Sequence, residues 1–190
     1  MLSYLALFAS GNGSNVENIA KYFKDSSKIK IQLLISNKHN AYVLERAKKL
    51  NIPSKVFTNK SINDGDLYKY LISTPVTHII LAGYINLIPQ NIINRYKNKI
   101  INIHPALLPN FGGKGFYGNH VHESVLESGY NKSGITIHLV NEEYDKGQIL
   151  FQKSIAVYPQ DTVETLSFKI HELEHIFFPE IIEKYILNKL

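Results

Sequence analysis

Short apolar runs and helical spacings alternate along the chain. Ser3–Ala9, Ile31–Ser36, Pro53–Phe57, His78–Leu81 and Lys99–His104 read as strands, each bounded by turn-forming residues. Between them, Val43, Leu44, Ala47 and Leu50 recur at helical spacing over 41–50. Further helices are expected up to Tyr22, over Asp66–Ile72 and over Gln90–Tyr96. A helix over Asn119–Glu127 precedes two strands, Gly134–Val140 and Gln148–Val157, joined by the loop Asn141–Gly147. So short a loop between strands predicts an antiparallel hairpin. Asp161–Thr162 opens a last helix to about residue 188, which Pro179 is expected to kink or split. Strand–helix alternation predicts a doubly wound α/β fold: a mostly parallel sheet with an antiparallel C-terminal edge. The whole chain, 1–190, is expected to form one domain.

Polar residues break the apolar pattern in three places. In Lys99–His104, Asn102 and His104 alternate with Ile101 and Ile103, so the amide and the imidazole share one face of a strand. The carboxyl ends of strands are where open α/β sheets bind ligands. After the first strand comes Ser10–Gly11–Asn12–Gly13–Ser14–Asn15 and then a helix. Glycines allow the turn, Ser14 or Asn15 can cap the helix, and the N–H groups at its start form an anion site. The third glycine of a dinucleotide fingerprint is missing, as Val16 stands three residues after Gly13. The Lys-Ser/Thr of a Walker loop is also missing, which leaves a phosphate site of another kind or a plain capped turn. The third place is the hairpin loop with Asp145. An aspartate in reach of His104 is expected to raise the imidazole's pKa, and a protonated His104 and Asn102 could then donate to a developing oxyanion.

Composition narrows the classes. With 44% hydrophobic and 19% charged residues the chain reads as globular, and no apolar run approaches a membrane span. The absence of cysteine excludes disulfides, thiolate metal sites and a thiol nucleophile, and fits a cytoplasmic location. The net charge of +5 comes mostly from scattered lysines, with only Arg46 and Arg95 as arginines. Without a dense basic run no nucleic-acid partner is expected, and a small phosphate-bearing ligand remains compatible.

His171–Glu172–Leu173–Glu174–His175 spells the H-E-x-x-H zinc motif and puts both imidazoles on one helical face. A third protein ligand would have to come from the same helical region, so the match is read as coincidence and no metal is expected. Glu174 shares that face. His120 and His122 lie beside the glycine-rich 105–118 segment, which reads as a flap, and His138 alternates with Thr136 and Val140.

The turn SGNGSN, the segment NIHPALLP and the loop EEYDKGQIL, in this order, resemble the phosphoribosylglycinamide formyltransferase family from about Leu2 to Pro179. The resemblance implies a formyltransferase-like variant of the Rossmann fold. It also implies transfer of a formyl group from 10-formyltetrahydrofolate, as cosubstrate, to the amine of 5-phosphoribosylglycinamide. By the same resemblance Asn102, His104 and Asp145 are the catalytic set, while Gly13, Ser14, Asn15 and Glu174 bind the ribonucleotide. Ile85, Asn86, Leu87, Ile88, Asn102 and Asn141 bind the folate. Small-molecule substrates, no membrane partner, and a monomer or weak homodimer are expected. The sequence departs from the family pattern at Ala106, usually serine, and at Asn86, where an arginine is common.

Overall fold

The computed structural model describes residues 2–190. Seven strands form one mixed sheet in the order β3-β2-β1-β4-β5-β6-β7. By compactness the chain divides into Met1–Ile101 and Asn102–Leu190.

In the first unit, β1 (Ser3–Phe8), β2 (Ile29–Ser36), β3 (Ser54–Val56) and β4 (His78–Leu81) pair in parallel. From Leu5 to Phe8, β1 is completely buried. Buried on both faces, it reads as an unbroken apolar run, as a central parallel strand should. Helices α1 (Ser14–Tyr22), α2 (Val43–Lys49), α3 (Asn59–Asn63), α4 (Asp66–Ile72) and α5 (Gln90–Arg95) connect the strands. The sequence pattern passed over α3. Its start is marked by Thr58, whose side chain accepts from the Ser61 N–H at 3.4 Å, and five residues are too few to show a period. β5 (Ile100–His104) follows.

The expected cap of α1 is corrected. Gly13, with φ 81°, is the N-cap and makes no side-chain cap bond, while Ser14 is already helical. The conformation needs glycine twice over. A side chain is strained at this positive φ, and a Cβ here would run into the Val43 side chain at the start of α2.

In the second unit, α6 (Asn119–Glu127) leads to the antiparallel pair β6 (Lys132–Leu139) and β7 (Ile149–Ala156), and α7 (Val163–Ile186) packs against α6, β6 and β7. Pro179 does not split α7, which runs through it as one helix opened by a reciprocal cap between Thr162 and Thr165. Residues 105–118 contain no regular helix or strand. Thr136 pins the start of that segment: its hydroxyl donates to the Ala106 carbonyl at 2.7 Å and accepts from the Leu108 N–H at 3.0 Å. The Gln152 amide adds a bond to the Leu108 carbonyl at 2.9 Å. Among the described residues, no helix is long and apolar enough to cross a membrane.

Burial also sets an acid limit on stability. Burial first, and Lys99 second, lower the pKa of His78 to about 4. A folded-state pKa below the unfolded value of about 6.5 means that the unfolded chain binds the proton first. The associated stability is present above pH ~6.5 and is lost as the pH falls toward 4. His78→Gln should therefore flatten the decline of Tm over that window, by roughly 5–10 °C at its acid end, in thermal scans at a series of pH values.

Candidate active site

β5 places Asn102 and His104 on its last three residues, and His104 is buried with 3% exposure. The His104 Nε2–H donates to the Phe111 carbonyl at 2.7 Å, because a carbonyl can only accept. This fixes the tautomer and leaves Nδ1 facing Asp145, 3.6 Å from Oδ2. The Phe111 ring stands edge-on to Tyr130, with centroids 5.3 Å apart, which braces the carbonyl that holds His104. The Asp145 Oδ2 is itself held by the Gly113 N–H at 2.9 Å. Both Phe111 and Asp145 have positive φ, 53° and 57°, so two strained backbone positions meet the same imidazole.

His138 belongs to this cluster, although the strand pattern had shown only that it alternates with Thr136. Its Nδ1–H donates to the Leu139 carbonyl at 2.8 Å. The remaining Nε2 accepts from the Asn102 side-chain amide at 3.1 Å, which orients that amide. The same nitrogen is 3.6 Å from Asp145 Oδ1, an electrostatic contact beyond hydrogen-bond length.

The expected charge of His104 is corrected. Burial pushes its pKa below the ordinary value, and this outweighs the opposing effects of Asp145 and the Phe111 carbonyl. A position in sequence shows which charge is near but not how far water is excluded, and here desolvation is the larger effect. Asp145 goes the other way: burial alone would raise its pKa, but His138, His104 and the Gly113 N–H together hold it below the usual carboxylate value. Burial thus biases His104 toward its neutral form, while the neighbours of Asp145 bias it toward the carboxylate.

The other expected residues fall as follows. In the first unit Gly13, Ser14 and Asn15 stand at the start of α1, and the segment after β4 is tied to the turn that joins β1 to them. The Ser10 N–H donates to the Gly83 carbonyl at 3.0 Å, and the Ser10 hydroxyl accepts from the Ile85 N–H at 3.1 Å. Ile85 and Leu87 are exposed and Ile88 is buried. The Asn86 amide donates to Asn59 at 2.7 Å. Arg46 secures the same turn: its Nε donates to the Asn12 carbonyl at 3.0 Å, and it pairs with Glu17. In the second unit Asn141 begins the loop that carries Asp145, its side-chain oxygen accepting from the Glu143 N–H at 3.1 Å. Glu174 is buried on α7 with 5% exposure. Among the described residues, no group of three His, Asp or Glu is arranged to hold a metal ion.

The formyl transferase family model matches residues 4–182. The chain belongs to the formyl transferase family. Within that family it is 40% identical over 185 residues to phosphoribosylglycinamide formyltransferase of Bacillus subtilis, covering 94% of this chain and 92% of the relative. It is 43% identical to the chloroplastic phosphoribosylglycinamide formyltransferase of Arabidopsis thaliana, over 94% of this chain. The chain spans 63% of that plant protein's length. Among formyl transferase structures, the phosphoribosylglycinamide formyltransferase of Streptococcus pneumoniae superposes with a TM-score of 0.86 at 33% identity, covering 97% of this chain and 99% of that one. The mixed sheet with its antiparallel C-terminal strands is the architecture expected from the alternation of elements.

Proposed function

We propose that the chain transfers the formyl group of 10-formyltetrahydrofolate to the amine of 5-phosphoribosylglycinamide, releasing tetrahydrofolate and N-formylglycinamide ribonucleotide. The observation that carries this reading is the cluster of Asn102, His104, Asp145 and His138, where an oriented amide donor lies on the same strand as a buried imidazole facing a carboxylate.

The chemistry follows from what each group can do. A neutral amine attacks the formyl carbon, a C–N bond forms, and the carbonyl electrons move to oxygen. Asn102, its amide turned by His138, donates to that oxyanion. His104 Nδ1 accepts the proton the amine must lose, and Asp145 stabilises the imidazolium as it forms. The same proton passes to the folate nitrogen as its bond to the formyl carbon breaks, which returns His104 to neutrality. In this reading the Gly13–Ser14–Asn15 turn holds the phosphate at a helix N-terminus, and Glu174 accepts from the ribonucleotide's donors. Ile85, Asn86, Leu87, Ile88, Asn102 and Asn141 serve the folate. The proposal includes a cytoplasmic monomer or weak homodimer acting on small molecules, without metal, nucleic acid or membrane.

Two measurements test it. Incubation with 10-formyltetrahydrofolate, with and without glycinamide ribonucleotide, should release tetrahydrofolate only when the amine is present. Release in its absence would indicate hydrolysis, and no release in either case would indicate a binding module. The pH–rate profile tests the role of His104. A base must be neutral, so kcat/KM should decline as the pH falls through the lowered pKa of the free protein, with the acid limb below about 6.5. Loss of activity on the alkaline side of 6.5, with a plateau below it, would instead require His104 to be charged.

A further inference from the structure

The HELEH string on α7 spells a zinc motif, and the geometry points to a different use. The Nδ1 of His171 is 2.9 Å from Oε2 of Glu174, one turn further along the helix. Glu174 is buried, whereas the His171 side chain is half exposed. Three further histidines feel the charge of this carboxylate: His175 beside it on α7, His122 on α6, and His104 on β5. Burial lowers the pKa of each of these three, which opposes a positive charge on them, whereas the hydrogen bond to Glu174 favours one on His171. Removing one partner from a buried carboxylate leaves its desolvation uncompensated.

We infer that His171 is the positioning residue of Glu174, fixing one carboxylate oxygen so that the group stays turned toward the donors of the amine substrate. The inference rests on the reading of Glu174 as a ribonucleotide-binding residue. The hydrogen bond to Glu174 raises the pKa of His171, consistent with a charged partner at neutral pH. The pairing is therefore fully charged below the ordinary histidine value and weakens as the pH rises through the raised one. His171 itself touches no reacting atom, so its loss should alter substrate affinity and leave the chemical step largely alone.

The test compares wild type, His171→Ala and His171→Asn in steady-state kinetics. The asparagine amide nitrogen sits near the position of the imidazole Nδ1 and can replace the hydrogen bond without the charge. His171→Ala should raise KM for glycinamide ribonucleotide about tenfold, with folate KM and kcat within about twofold, and His171→Asn should recover most of the loss. Wild-type KM should rise above pH 6.5, and the His171→Asn profile should stay flat there. As a readout independent of turnover, the His171 ring nitrogens titrated by NMR should show a raised pKa that returns toward 6.5 in Glu174→Gln. An amine-active wild type whose His171→Ala variant keeps its ribonucleotide KM overturns this inference alone. An unshifted His171 titration in Glu174→Gln overturns it as well. A wild type that does not use glycinamide ribonucleotide overturns the proposed function, and this inference with it.

Discussion

His104→Ala is expected to lower kcat by about 10² or more, and Asp145→Asn by a similar factor, with folded protein in both cases. The two losses have different origins. Without His104 no group at the end of β5 can take the amine's proton. With asparagine at 145 the Gly113 N–H can still find an oxygen acceptor, but the charge that stabilises the imidazolium is gone. The acid limb of the pH–rate profile should therefore move to higher pH in wild type relative to Asp145→Asn, because the carboxylate raises the pKa of the imidazole against the effect of burial. Stopped-flow or steady-state turnover on purified variants with native circular dichroism measures this. Near-normal kcat in either one contradicts the assignment.

The second large effect is expected at the turn after β1. Gly13→Ala should raise KM for glycinamide ribonucleotide by about 10²-fold while leaving folate KM nearly unchanged, since it displaces N–H groups that the phosphate must meet. Two physical causes act together: the positive φ of 81°, and the closeness of Val43 on α2. They can be separated. Adding Val43→Ala removes the nearest methyl carbon but keeps a Cβ at 43 that is 2.6 Å from the new one, and it leaves the backbone strain, so the double variant should recover only part of the affinity. Full recovery would assign the whole effect to crowding. An unchanged KM in Gly13→Ala would remove the phosphate role from this turn.

How far the sequence could be read depended on whether the signal was local. Parallel strands buried on both faces write themselves as apolar runs, so β1 and β4 are plain in the sequence, and period-two alternation puts Asn102 and His104 on one face. His138 could have been found by the same alternation, but its role appears only when its Nε2 meets the Asn102 amide, 36 residues away in sequence. The Phe111 carbonyl leaves no signal at all, because any residue has one; only the path of the 105–118 segment brings it to His104. The pKa of His104 departs from the sequence expectation for a related reason. Asp145 could be named as a neighbour from the loop, whereas the desolvation that outweighs it comes from the packing of the whole unit. Pro179 reads in the sequence as a kink or a split, and the structure rules out the split: α7 runs through it, packed on α6, β6 and β7.

The central claim is transfer, and the carbon itself can be followed. 10-Formyltetrahydrofolate labelled with ¹³C in the formyl group is incubated with the protein and glycinamide ribonucleotide, and the carbon is observed by NMR. The account predicts that the label leaves the folate and appears as a formamide carbon on the ribonucleotide's glycyl nitrogen, at one equivalent per tetrahydrofolate released. Label accumulating as free formate, with the amine unmodified, would contradict it.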